Sequence, residues 1–380
     1  MPIIAIDASS AQKTQRTGVE EYSFQIIEGL KKMVGAEVKL ILYFQNSLPA
    51  LFVFHQEGVT GLVLNWPFKR FWQQLRVTWE LWRRPPDIYF VPGQALPFFI
   101  AKKIKVATTI HDVGFARRPD LYPAAEVRRQ RAATKRAVKR ANVIFTPSEF
   151  TKNELINLFH ARPEKVVVTP LAADVERFKP LSRETVEVVL NKYRLGYKNY
   201  LLFVGRVDRK KNPGVLLPAF EDLKKNMGQG DPLRLVFAGP AGHGFTELKV
   251  AAEKSTFKSF ISFLDFVSTE DLSALINGAM VLLSPSWYEG FNLPLLEAAA
   301  CGTPLIISDI QVHHEVVGQA AVFVPPNEPE KWLQVLTKAI REPALMAQLA
   351  ESGLPLVKNF SWGKTAEMTF EALWKTLLEN

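Results

Sequence analysis

Glu289 and Glu297 stand eight positions apart in the stretch Pro285 to Pro304, where a loop bearing Gly290 runs into a short helix. Two carboxylates so placed can serve as an acid and a base across one bond, or can mark the two edges of a single bound ligand. Pro294 suits the first helical position and Gly302 the position just past the last turn, which leaves about two turns of helix. Backbone N–H groups from Phe291 to Leu295, including those of Asn292 and Leu293, then point outward at the positive end of the helix, a place for phosphate oxygens. A second cluster follows the apolar run Tyr200–Val204: Gly205-Arg206-Val207-Asp208-Arg209-Lys210-Lys211-Asn212. Arg206 can fork onto phosphate oxygens and Lys211 can act as a point charge, so together they can neutralise a diphosphate. Val106–Ile110 runs straight into His111-Asp112, a titratable pair at the carboxyl end of a strand, which is where α/β proteins place ligands. In the plainer alternative Asp112 only caps the next turn. Thr17-Gly18 follows the first strand and either lets a backbone approach a ligand or makes a simple tight turn.

These residues need scaffolding that holds strand ends side by side. Short apolar runs suited to buried parallel strands are predicted at Ile3–Ile6, Val38–Phe44, Gly61–Leu64, Ile88–Val91, Val106–Ile110, Val143–Phe145 and Val166–Val168. After a connecting segment at 174–185, a second set follows at Tyr200–Val204, Leu233–Ala238, Ile261–Leu264, Met280–Ser284 and Pro304–Ile307, alternating with helices. This alternation predicts an α/β protein of two doubly wound parallel sheets facing each other across a cleft, with a first domain over 1–178 and a second over 179–360. Residues 361–380 read as a capped amphipathic helix.

The composition is that of a soluble globular protein: 380 residues, 47% hydrophobic and 22% charged. No apolar run reaches the ~18 residues of a membrane span and no signal peptide is legible, so a cytoplasmic protein is expected. The single cysteine, Cys301, excludes an internal disulfide and a cysteine metal cluster, and reads as a small buried residue. Net charge is divided unevenly, +11 over residues 1–180 and −2 over residues 181–380. An acidic partner on the first half follows: anionic lipid headgroups, a phosphorylated acceptor or nucleic acid. Between Trp66 and Tyr89, the residues Phe71, Leu75, Trp79 and Trp82 recur at helical spacing, which predicts a buried face. The sharper reading is an amphipathic surface for a membrane or a lipid-linked acceptor, rimmed by Lys69, Arg70, Arg83 and Arg84. The basic helix Ala124–Arg140 reads as a solvated face, and the loop Gly239–Gly244 is ambiguous. His313-His314-Glu315 lacks the i, i+4 spacing that would chelate one ion, so no metal is expected there.

Taken together, Thr17-Gly18, His111-Asp112, Gly205-Arg206 through Lys211-Asn212, and Glu289-Gly290-Phe291-Asn292-Leu293-Pro294 to Glu297 and Ala300-Cys301-Gly302-Thr303-Pro304 resemble the retaining, nucleotide-sugar-dependent glycosyltransferases of the GT-B fold known as family four (group 1). The resemblance covers essentially the whole chain, including a terminal helix that returns to pack on the first domain. It implies that Glu289 faces the donor hexose and Glu297 binds the ribose hydroxyls. Arg206 and Lys211 would hold the diphosphate, and Gly290, Phe291, Asn292 and Leu293 would bind donor sugar and phosphate, the last three through backbone N–H groups. His111 would contact the donor sugar, and Gly18 would leave room for it beside the acceptor. No cofactor or metal is implied, only a nucleotide-diphosphate sugar. His111-Asp112-Val113-Gly114-Phe115 followed by Tyr122-Pro123 is similar to mannosyltransferase members, favouring GDP-mannose over a UDP-sugar. The implied acceptor is a glycan or lipid-linked saccharide, without nucleic acid. Asn292 and Ala299 stand where this family commonly has glycine and methionine. Two other readings remain at this stage: a GT-B epimerase or hydrolase acting on the sugar nucleotide without acceptor, and a basic membrane- or nucleic-acid-binding protein on the same shell.

Overall fold

The structure, a computed structural model, describes residues 1–35, 37–54, 57–68, 70–228 and 230–379. The chain packs as two compact units. One is formed by Met1–Arg117, Ala124–Leu171 and the segment from Trp362 on, the other by Arg118–Pro123 and Ala172–Ser361. The short excursion Arg118–Pro123 joins the second unit through Arg118, whose guanidinium lies 4.8 Å from the Trp287 ring centre.

Among the described residues, the first unit holds a seven-stranded parallel sheet of β1 (Ile3–Asp7), β2 (Lys39–Gln45), β3 (Val59–Leu64), β4 (Ile88–Val91), β5 (Lys105–Thr109), β6 (Val143–Thr146) and β7 (Val166–Val168), in the order β3-β2-β1-β4-β5-β6-β7. The second holds a six-stranded parallel sheet of β8 (Tyr200–Val204), β9 (Arg234–Ala238), β10 (Ile261–Phe263), β11 (Val281–Ser284), β12 (Leu305–Ser308) and β13 (Val322–Val324), in the order β10-β9-β8-β11-β12-β13. Strands buried on both faces need side chains that are apolar on both, which is why Tyr200-Leu201-Leu202-Phe203-Val204 is an unbroken apolar run, all of it buried. In each sheet the winding reverses beside the first strand, between β1 and β4 and between β8 and β11, and ligands of such sheets bind outside the carboxyl ends at that point.

In the first unit, helix Gly18–Met33 starts at a capping box in which the Thr17 N–H donates to Glu20 Oε2 at 3.2 Å. Its Tyr22, Ile26 and Leu30 are buried, as their shared face predicts. Helix Trp362–Leu378 lies against it so closely that a Cβ on Gly29 would collide with the Ala366 Cβ. The far end of this last helix is held by Lys105, whose Nζ donates to the carbonyls of Thr376 and Leu377 at 2.9 and 3.2 Å.

Two expectations change. Leu75, Trp79 and Trp82 do line one surface, on a π-helical turn Trp72–Val77 that continues into helix Thr78–Arg83, but they and Phe71, left-handed just before the turn, are exposed: Trp82 keeps 78% of its surface and Phe71 62%. Helical spacing fixes which residues point together and not whether that side meets the core. Lys69 lies outside the described residues. The strand β13 and the helices Pro329–Arg341 and Pro343–Val357 belong to the second unit without having been foreseen. Helix Ala124–Arg140 is solvated as expected, with only Thr134 and Ala137 buried.

Candidate active site

In the second unit the loops after β8 and β11 meet at the point where the winding reverses. Lys211 Nζ donates to Glu289 Oε1 at 2.6 Å, Lys210 Nζ lies 3.9 Å from Oε2, and Ser286 Oγ donates to Oε1 at 2.8 Å. Glu289 is buried. Burial by itself would raise its carboxyl, but the ammonium groups of Lys211 and Lys210 and the hydrogen bonds from Lys211 and Ser286 outweigh it and hold the pKa at about 2. A carboxyl so held is ionised at neutral pH and has no proton to give. The general-acid alternative for the glutamate pair is thereby removed at Glu289.

Local structure explains why Lys211 can reach. Asp208 caps the 3-10 turn Arg209–Lys211, its Oδ1 accepting the Lys211 N–H at 3.0 Å, while burial raises the Asp208 carboxyl. Asn212, left-handed at φ +54, then ties this loop to two others by donating to the carbonyls of Pro285 and Pro326 at 3.1 and 2.7 Å. At Gly205, with φ +128, a Cβ would come within 3.0 Å of Lys211 Cε and crowd the side chain. The loop Gly239–Gly244, ambiguous in the sequence, has a packing role: a Cβ on Gly239 would collide with the Gly205 carbonyl oxygen, and Val207 N–H donates to the Pro240 carbonyl at 3.0 Å. Arg206 is exposed beside this loop.

Helix Leu293–Ala300 begins one residue before Pro294, and Gly302 follows its end at φ +67. Asn292 precedes it in the left-handed region at φ +78, its carbonyl accepting the Leu295 N–H at 3.0 Å. The Leu295 N–H is therefore engaged within the turn and not offered outward. Phe291 is buried with its ring edge-on to Phe360, 5.8 Å away, so the side chain belongs to the core. Gly290 and Leu293 are buried, and Glu297 is half-buried. Cys301 is buried and its thiol is pushed up to about 12 by burial, an inert residue.

The first unit carries the rest of the predicted set. His111 follows β5, its Nε2 3.3 Å from the Pro92 carbonyl and its ring edge-on to Tyr22 at 4.7 Å. Burial lowers its pKa against the opposing effects of the Pro92 hydrogen bond and of Asp112 and Glu20, so the imidazole is neutral at pH 7. Tyr22 is pinned in turn through a 2.8 Å hydrogen bond with Thr109. Asp112 caps the following turn, its Oδ1 accepting the Gly114 N–H at 2.9 Å. Gly18 opens the first helix and is exposed, and a Cβ there would meet nothing within 4 Å. Nothing in the fold itself requires a glycine at that position.

Several participants escaped the sequence reading. Lys210 and Ser286 complete the Glu289 cluster; the lysine doublet at 210–211 and the Ser-x-x-Glu spacing were the available signals. Asp7, at the end of β1, is buried with Ser9, Gln73 and Tyr89 around it, and burial raises its carboxyl above the usual range. An acidic residue closing the apolar run Ile3-Ile4-Ala5-Ile6 would have pointed to it. Among the described residues no cluster of His, Cys, Asp and Glu has the makings of a metal site, and no helix is long and apolar enough to cross a membrane.

Comparison with known proteins agrees with this architecture. Residues 190–354 match the family described as glycosyl transferases group 1, and residues 16–177 match glycosyltransferase family 4. The chain is 30% identical over 297 residues to the O-antigen chain mannosyltransferase B of Escherichia coli, spanning 78% of this chain and 76% of that protein. It is 27% identical over 268 residues to a D-inositol 3-phosphate glycosyltransferase of Nocardioides sp., but spans only 56% of that protein's length. Among solved structures, Anabaena HepE in complex with UDP and glucose superposes with a TM-score of 0.76 at 16% identity, covering 99% of this chain and 100% of that one. WaaG, a glycosyltransferase involved in lipopolysaccharide biosynthesis, gives 0.74 at 16% identity over 97% and 98% of the two chains. The structural likeness establishes the GT-B fold, and the sequence matches establish the rest: the chain belongs to glycosyltransferase family four (group 1) and is a hexosyltransferase that takes its sugar from a nucleotide sugar.

Proposed function

We propose that the protein is a retaining mannosyltransferase that uses GDP-mannose to extend a glycan on a lipid-linked acceptor. The observation that carries the reading is the Lys211–Glu289–Lys210 cluster at the ends of β8 and β11. A departing nucleoside diphosphate gathers negative charge, and fixed cations in a site sheltered from water stabilise it without an acid. Lys211 and Arg206 are assigned to the diphosphate, with no metal called for, and Glu289 to the sugar. Glu297 is assigned to the ribose hydroxyls, and the backbone of Gly290 to Leu293 to sugar and phosphate. From the first unit, neutral His111 is assigned to a sugar hydroxyl and Gly18 to the space the substrate fills. The acceptor hydroxyl attacks the anomeric carbon on the face the diphosphate leaves. The new glycosidic bond forms as the bond to phosphate breaks, and the hydroxyl proton passes to the departing phosphate oxygen. The mannosyl preference is supported by the likeness to mannosyltransferase B of Escherichia coli.

The partner surface is assigned to the first unit. Leu75, Trp79, Trp82, Phe98 and Phe99 line a concavity of about 700 Å³. The Arg76 and Arg83 guanidiniums stand 4.9 and 5.3 Å from the Trp79 ring centre, and that of Arg136 4.1 Å from Phe98. Exposed aromatics set among cations suit the headgroup region of an anionic bilayer, in the cytoplasm of the cell where nucleotide sugars are made.

Thermal-shift measurements with GDP-mannose, UDP-glucose and ADP-glucose test the donor, and incubation with donor alone tests the need for an acceptor. GDP-mannose is expected to stabilise most. Stabilisation by none of the three sinks the donor site, and full-rate turnover without acceptor makes the enzyme a hydrolase or epimerase.

A further inference from the structure

The residue His313 takes no part in the chemistry described so far, yet it is fully buried beside the loop assigned to the donor. It lies on helix Gln311–Val317, with Nδ1 2.8 Å from the Ser308 carbonyl and Nε2 2.9 Å from Asn292 Nδ2. A carbonyl oxygen accepts only, so Nδ1 carries the proton, and Nε2 is left as an acceptor for the Asn292 amide. The other Asn292 N–H donates to Ser284 Oγ at 2.7 Å, at the end of β11. Asn292 Oδ1 is buried without a partner, so the constraint on this side chain runs through its two N–H groups. The side chain makes no cap to the helix that follows it. Asn292 is in the left-handed region at φ +78, which an asparagine adopts at some cost and a glycine adopts freely.

We propose that His313 is a positioning residue for the donor: as a neutral acceptor it clamps Asn292 in its left-handed conformation and so sets the backbone from Phe291 to Leu293. This rests on the assignment of that backbone to the donor. Asparagine at φ +78 then has a compensating partner, one for which a glycine at this position would have no use. The pKa is in keeping: burial brings His313 down to about 4 against the Ser308 hydrogen bond, with Glu289 raising it and Lys211 and His314 lowering it. Protonation would turn Nε2 into a donor facing a donor.

The test is a double-mutant cycle of His313→Ala and Asn292→Gly, with His313→Gln as the conservative variant, read in two ways. In the ligand-free enzyme, hydrogen exchange of the Leu295 amide is expected to quicken in H313A, to quicken less in H313Q, and to be unaffected by H313A in the N292G background. With GDP-mannose, H313A is expected to raise KM about tenfold with a much smaller change in kcat, the loss of one buried hydrogen bond. N292G, which removes the need for the clamp, is expected to fold and serves only as the background in which the exchange effect of H313A is read. An effect of H313A on exchange that is equal in the wild-type and N292G backgrounds overturns the clamp, whatever the donor. A clamp seen by exchange, with GDP-mannose binding unchanged by both H313A and Glu297→Ala, instead overturns the assignment of this loop to the donor.

Discussion

The carboxyl ends of the two sheets share a topology and differ in their electrostatics. At β8 and β11 a buried carboxylate is held between two lysines, and Asn212 binds three loops together. At β1 and β5 two groups are pushed towards neutrality, His111 kept uncharged and the Asp7 carboxyl raised by burial, and Gly18 faces open space. On the proposed assignment of these residues, one strand order is given two jobs. Fixed charge belongs where a charge develops during reaction. Uncharged hydrogen-bonding groups and open room belong where sugars of variable shape are handled.

The comparison breaks first at Lys211. Lys211→Ala removes the nearer of the two cations from Glu289 and the cation proposed for the diphosphate, and turnover with donor and acceptor is expected to fall by roughly 10²–10³, about 3–4 kcal/mol of transition-state stabilisation. Activity within a few-fold of wild type would remove the charged cluster from the mechanism.

Acid gives the next largest effect. The Glu289 carboxyl, held at about 2 against 4.5 in the unfolded chain, contributes stability that is complete above pH 4.5 and is lost as the pH falls towards 2. The amount is on the order of 3 kcal/mol. His313, lowered from 6.5 to about 4, favours the unfolded chain over the earlier window from pH 6.5 to 4. Asp7 acts in the opposite sense, since a raised carboxyl is relieved when protonated. Hydrogen exchange resolved by strand should therefore show β8 and β11 beginning to loosen as His313 charges below pH 6.5 and loosening further below pH 4.5, beyond the loosening that His111 brings to the first sheet, and Glu289→Gln should abolish the lower step. Equal loosening of both sheets would mean that the charge contrast has no energetic weight.

The smallest effect is expected at the neutral end. His111→Ala removes the hydrogen bond proposed for a sugar hydroxyl and should lower kcat/KM about tenfold, or ~1.4 kcal/mol, with the affinity for GDP alone unchanged. Weakened GDP binding would show that His111 serves the nucleotide and would blur the division between the two ends.

Much of this was legible because a doubly buried parallel strand has little choice of sequence. Ile88–Val91, Val166–Val168 and Tyr200–Val204 fall where apolar runs predict them, and helix Ala124–Arg140 coincides with its predicted span. The chemistry was legible in part: Arg206 and Lys211 at one strand end and Glu289 at the next lie at the same end of one sheet, but only the folded chain shows that Lys211 neutralises Glu289 directly. Three things resisted. The aromatic face at Phe71–Trp82 was given the wrong side, since periodicity carries no information about direction. Val322–Val324 was overlooked, although Ala320-Ala321-Val322-Phe323-Val324 is an apolar run no less legible than Val166–Val168. His313 invited only the question of metal, because its partner Asn292 is distant in sequence and brought near by the fold.

The packing of Ala366 into the space left by Gly29 sets a schedule for synthesis. The strands of the first sheet have all emerged once residue 168 is made, but the side of helix Gly18–Met33 that meets Trp362–Leu378 has no cover until the whole second unit, ending at Ser361, has also been translated. At roughly 5–20 residues per second that interval is on the order of ten to forty seconds. For that time a nearly finished sheet carries an open apolar seam, a substrate for chaperones and a hazard for neighbouring nascent chains.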